Sequence, residues 1–143
     1  MRARAWSAIV SRFGEPVVLE PGCEVHGRFD GVALRLRLGK PATVETTLPF
    51  ERFALRITPR GGEDFDTAFA VVASPTELPR LVLDEAVRAR LLAIVPRPML
   101  YLDPPVLVLE APTLDVASAL AALEAMARLA RSLCERAAMC ARG

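Results

Sequence analysis

The stretch Cys23-Glu-Val-His-Gly-Arg-Phe-Asp-Gly-Val-Ala-Leu-Arg-Leu-Arg-Leu38 decides the fold class. Through Val32–Leu38, valine and leucine alternate with alanine and arginine. This two-residue period is typical of a strand with one buried face and one solvent-exposed face. The Asp30-Gly31 pair before this run is a strong signal for a tight turn. The stretch therefore predicts an antiparallel hairpin, with Cys23–Arg28 as its first strand.

Other segments of the chain also have the composition of strands and are bounded by turn residues. They are Pro16–Glu20, Thr43–Leu48, Phe53–Thr58, Ala68–Ala73, Met99–Leu102 and Val106–Glu110. The last two flank Asp103-Pro104-Pro105, which predicts a second hairpin. Because hairpins join antiparallel neighbours, we expect one antiparallel sheet of about six to eight strands rather than a parallel sheet.

Helical spacing of apolar residues predicts three helices. Residues 1–14 form a basic amphipathic segment that we expect to pack on the domain, with contact to a membrane surface as the alternative. A helix over 84–95 has Asp84 and Glu85 at its N-terminus, where acidic side chains are favourable.

The spacing of Ser74-Pro75-Thr76-Glu77 predicts a capped helical turn between strand and helix. The longest helix covers residues 115–139, with Asp115 or Thr113 as its cap.

The long C-terminal helix is apolar around most of its circumference. Its polar residues span roughly 140°, whereas a single contact with a sheet needs an apolar stripe of only about 100°. The helix should therefore bury a second flank, formed by Met126, Leu129 and Leu133, besides the one that contacts the sheet. We expect a single α+β domain over residues 1–143, in which this helix and the mid-chain helix pack on the sheet.

Composition excludes several classes of function. The chain has 143 residues and a net charge of +1, with one His (His26), no Asn and no Gln. A Cys–His–Asn catalytic device is impossible, and the charge balance predicts no nucleic-acid partner. Cys23, Cys134 and Cys140 are scattered in sequence, so we expect reduced thiols and a cytoplasmic protein. No apolar run is long enough to predict a membrane span.

The middle of the chain, over roughly residues 25–110, resembles a group of uncharacterised bacterial proteins of unknown function. The resemblance rests on an F-D-x-x-F-x-V core at Phe65–Val71, a Leu-rich helix at Leu81–Leu92 and a hairpin at Met99–Glu110. A G-R-aromatic-x-G turn at Gly27–Gly31 is also similar. The resemblance implies the α+β architecture, but it brings no activity and no site residues.

Two groups of residues are candidate sites for chemistry. The acidic run Glu63–Asp66 follows two glycines, which favours a solvated turn in which Asp66 binds backbone amides, with a hard cation as the alternative. An enzyme built from Asp64, Asp66 and His26 is a weaker hypothesis, because His26 lies in a strand without a visible partner. We therefore predict no catalytic residues, no metal and no cofactor.

The sequence favours a non-catalytic interaction or scaffold domain. We expect a protein partner, with a homodimer through Met126, Leu129 and Leu133 as the preferred form. Arg35 and Arg37 share the polar face of their strand, where they would bind an acidic partner or pair with Glu24 or Glu45 across strands. The alternative function is a binder of small apolar ligands, with a cavity between the sheet and the C-terminal helix.

Overall fold

The computed structural model describes residues 2–142, with side chains described for residues 2–140. One eight-stranded sheet forms its centre, and all neighbouring strands in it are antiparallel. The strands are β1 (Gly14–Glu20), β2 (Glu24–Phe29), β3 (Val32–Arg37), β4 (Ala42–Thr47), β5 (Ala54–Pro59), β6 (Phe69–Ser74), β7 (Met99–Asp103) and β8 (Val106–Ala111). The helices are α1 (Ala3–Val10), α2 (Phe65–Ala68), α3 (Leu78–Val82), α4 (Glu85–Ala93) and α5 (Val116–Arg142). The predicted α+β class is confirmed.

The predicted strands are all present, with ends shifted by one or two residues. In β3, Leu34 and Leu36 are buried while Arg35 and Arg37 are exposed, as the alternation requires. Asp30 and Gly31 join β2 to β3 with φ values of 49° and 82°. Two consecutive residues with positive φ match the right-handed twist of the flanking strands, which is why Asp-Gly predicts this turn.

The strand order is β1-β2-β3-β4-β8-β7-β5-β6. The hairpin of β7 and β8 lies between β4 and β5, so two strands that are neighbours in sequence are separated in the sheet. This insertion leaves β1 and β6 as the two edge strands. It also places α2, which leads directly into β6, at the opposite end of the sheet from β2.

All five helices lie in one layer against a single face of the sheet. Helix α5 is the centre of that layer, because it contacts β2, β3, β4 and β8 on one side and α1, α3 and α4 on the others. The Asp115 carboxylate caps it by accepting a hydrogen bond of 2.8 Å from the Ser118 N–H. Helix α1 packs on this layer through the buried Trp6 and Ile9. Within residues 2–142, no helix is both long and apolar enough to span a membrane.

Two local predictions are corrected by the structure. The acidic run after Gly62 forms a helical turn, α2, in which Asp64 rather than Asp66 binds a backbone amide, that of Thr67 at 2.9 Å. Ser74 ends β6 instead of capping a helix, and the N-cap of α3 is Glu77 without a side-chain hydrogen bond. Asp84, which was predicted at the N-terminus of the mid-chain helix, is the N-cap of α4 and accepts from the Val87 N–H at 3.0 Å.

Candidate functional site

The face of the sheet opposite the helices, here called the outer face, presents a continuous row of side chains. Successive residues of the row are register partners in neighbouring strands, so the row crosses the sheet from the β1 edge to the β6 edge. This central row consists of Val17, His26, Arg35, Glu45, Val108, Tyr101, Arg56 and Val72. Arg35, Glu45 and Arg56 are its charged residues, whereas each end is an exposed valine.

Arg35 and Arg37 are paired with carboxylates across strands, as the sequence predicted. Arg35 lies 2.8 Å from Glu24 and 3.8 Å from Glu45, and Arg37 lies 3.7 Å from Glu24. Exposed ion pairs of this kind stabilise a fold by about 0.2–1 kcal/mol each. Since their charges are already compensated, these two arginines do not present a free cationic surface to an acidic partner.

His26 lies beside a pocket of about 410 Å³ on the outer face. Its Nε2 atom is buried and has no hydrogen-bond partner among the described residues. Asp64 and Asp66 are far from it, because β2 and β6 are six strand spacings apart, or about 29 Å at about 4.8 Å per spacing. The structure therefore does not assemble the catalytic set of His26 with Asp64 and Asp66.

The predicted interface on α5 is corrected. Met126, Leu129 and Leu133 are each 0% exposed and belong to the hydrophobic core. The sequence correctly indicated that α5 buries a second flank, but α1, α3 and α4 of the same chain pack around this helix. These three residues are part of the interior of the folded chain and cannot form a docking surface.

Strands β3 and β4 separate at one end, and this opening is here called the fork. Their register pairs run only from Arg37–Thr43 to Arg35–Glu45. Beyond that point the Thr46 hydroxyl donates a hydrogen bond of 2.7 Å to the Ala33 carbonyl. The fork opens to the pocket beside His26 on the outer face and to a larger pocket below α5 on the other.

The edge strand β6 presents backbone groups that have no partner strand. The Arg60 N–H donates to the Ala68 carbonyl, so Ala68 points its backbone groups toward β5. In an antiparallel pair, successive residues point their N–H and C=O groups alternately toward the partner strand and away from it. Val71 and Ala73 therefore direct these groups to the free edge. Val72 on this strand is 70% exposed. The sequence predicted the strand but not its place at an edge, which depends on where β7 and β8 insert.

The cysteines and acidic residues do not gather into a ligand site within the described part of the chain. No group of three or more His, Cys, Asp or Glu side chains there has the arrangement of a metal site. The three cysteines are free thiols. Burial, together with the nearby Glu135 carboxylate, raises the pKa of the Cys134 thiol.

Comparison with protein-family models, with curated proteins and with solved structures gives no match to this chain. The resemblance to uncharacterised bacterial proteins therefore remains a prediction.

Proposed function

We propose that this chain is a non-catalytic, cytoplasmic interaction domain that binds a second copy of itself through the free edge of β6. The observation that supports the proposal is the edge itself. Strand β6 reads Phe-Ala-Val-Val-Ala-Ser, carries no charge, and pairs with β5 in unbroken register. Such an edge is a template for another strand, and natural proteins usually protect edges with charges, bulges or prolines.

A second copy fits this edge with Val72 on the two-fold axis. In that antiparallel register Val71 of one copy lies opposite Ala73 of the other, and both residues direct their N–H and C=O groups outward. Four backbone hydrogen bonds form in this arrangement. The two Val72 side chains then face each other in a non-hydrogen-bonded pair, where side chains approach most closely. Association thus covers the most exposed large apolar side chain of the described residues.

The occupant is a second copy because the strand is complementary to itself. Its uncharged apolar residues meet the same residues in the partner, so the pairing opposes no like charges. The same patch is used by both subunits, which is the isologous interface of two-fold dimers. The dimer would join two eight-stranded sheets into one continuous sheet.

Sedimentation velocity from about 1 to 100 µM protein tests the proposal. We expect a concentration-dependent dimer, and we expect Val72→Lys to raise its dissociation constant at least tenfold, or about 1.4 kcal/mol. Two lysines directly opposite each other repel. The matched control is Val17→Lys, because Val17 occupies the other end of the same central row and is also exposed. It should leave the dissociation constant unchanged.

A charge-swap experiment identifies the register. Val72→Lys and Val72→Glu should each dimerise at least tenfold more weakly than the wild type, whereas an equimolar mixture should form a heterodimer, since opposite charges then meet at the axis. A wild-type monomer at 100 µM contradicts self-association. A dimer that resists both Val72 variants, or that Val17→Lys disrupts instead, places the interface elsewhere and contradicts the use of β6.

A further inference from the structure

The pocket below α5, here called the fork pocket, has a volume of about 600 Å³. It lies between the open end of β3 and β4 and the C-terminal half of α5. This volume falls within the range of roughly 300–1,000 Å³ that is typical of small-ligand sites. Its apolar wall comes from Val32, Leu48, Pro49, Ala130 and Cys134.

Two arginines at the fork pocket have no acidic partner. Arg28 donates to the Gly31 carbonyl at 3.2 Å, and Arg131 donates to the Asp30 carbonyl. Neither guanidinium forms an ion pair within the residues whose side chains are described. Each guanidinium has five N–H donors, so both retain donors for a ligand.

The charge of the pocket wall favours an anion. Arg28 and Arg131 contribute two positive charges and Glu135 contributes one negative charge, which leaves a net charge of +1. Guanidinium groups match the planar geometry of a carboxylate and can bind it through two hydrogen bonds. The apolar wall beside them can contact a hydrocarbon chain.

We infer that the fork pocket binds a small monocarboxylic acid with an apolar chain. The carboxylate lies on Arg28 and Arg131, and the chain lies along Val32, Leu48 and Ala130. This site is separate from the β6 edge, and binding there does not depend on self-association. The fork is the reason that the pocket exists, because paired strands would close the sheet at this position.

Titration of the ¹⁵N-labelled protein with octanoate tests the inference. We expect saturable chemical-shift changes at the amides of Val32, Ala33 and Cys134. Octan-1-ol has the chain without the charge, and acetate has the charge without the chain. Both should bind at least tenfold more weakly than octanoate. Alkylation of Cys134 by iodoacetamide should also slow in octanoate, while that of the exposed Cys140 should not change.

Arginine variants show whether the carboxylate is recognised. Arg131→Gln and Arg28→Gln should each weaken octanoate binding at least fivefold. The control Arg136→Gln, on the same helix outside the pocket, should bind octanoate as the wild type does. Absence of saturable octanoate binding overturns the inference. Equal binding of octan-1-ol, or unchanged binding by both variants in samples with native spectra, overturns it as well.

Discussion

The two edges of the sheet are built in opposite ways. Strand β1 is interrupted by two register shifts, contains Pro16, and has glutamates at positions 15 and 20. At the first shift Glu15 has a φ of 52°, the left-handed conformation of a β-bulge residue. Strand β6 has a regular register and no charge. Both edges end the central row with an exposed valine, so the difference lies in the backbone and in the flanking residues.

If the chain self-associates as proposed, this difference directs the pairing to one side of the molecule. A bulged edge with proline and acidic residues is protected against pairing, even though Val17, Val18 and Leu19 are exposed there. An uncharged regular edge is not protected. A chain with one open edge closes as a two-fold dimer, whereas a chain with two open edges adds copies without limit. The asymmetry between β1 and β6 therefore fits a dimer and not a fibre.

The largest effect that we predict concerns the packing of the start of β1 against Gly27 in β2. A Cβ atom on Gly27 would lie 2.9 Å from the Gly14 carbonyl oxygen and 3.2 Å from that of Glu15. Gly27→Ala should therefore displace the start of β1 and lower the free energy of unfolding by about 2 kcal/mol, as overpacking does. Urea denaturation measures this. The matched control is Gly61→Ala, where a Cβ meets no atom within 4 Å. Equal free energies of unfolding for the two variants would contradict the close approach of Gly27 to the backbone of β1.

The second prediction removes the protection of β1. Pro16→Val together with Glu20→Thr restores a backbone donor and removes a charge from this edge. We expect species larger than a dimer in sedimentation velocity, because each chain then has two open edges. On a Val72→Lys background the same pair of substitutions should give dimers only. An unchanged monomer–dimer equilibrium would show that the bulges alone protect β1.

The sequence predicted those parts of the fold that depend on local patterns. The Asp-Gly turn, the alternation in β3, the acidic N-terminus of the mid-chain helix at Asp84 and the cap at Asp115 are encoded within a few neighbouring residues, and each is present. The strand order was not predicted, because the insertion of β7 and β8 is a long-range arrangement. The edge position of β6, and with it the exposure of Val72, follows from that order alone.

The candidate sites were predicted less well for the same reason. The sequence of α5 indicated that most of its circumference is apolar. It did not indicate that other helices of the same chain would cover Met126, Leu129 and Leu133. Arg28 and Arg131 are about 100 residues apart in sequence. Both line the fork pocket only because the β2–β3 turn approaches α5. No spacing rule links such residues, whereas the pairing of Arg35 with Glu24 was found because both belong to one hairpin.

The smallest predicted effect concerns the turn that begins β6. Hydrogen bonds from the Thr67 hydroxyl and the Thr67 N–H lower the pKa of Asp64 below 3.8. Since the pKa is lower in the folded chain, ionised Asp64 stabilises α2 at neutral pH, and this contribution is lost as pH falls through the lowered pKa.

The amide chemical shift of Thr67 should titrate with a midpoint below pH 3.8 in the wild type, and it should not titrate in Asp64→Asn. Because α2 also holds the Phe69 N–H through the Phe65 carbonyl, acid should loosen the start of β6 and leave β1 unchanged. A midpoint at or above 3.8 would contradict the capping role of Asp64.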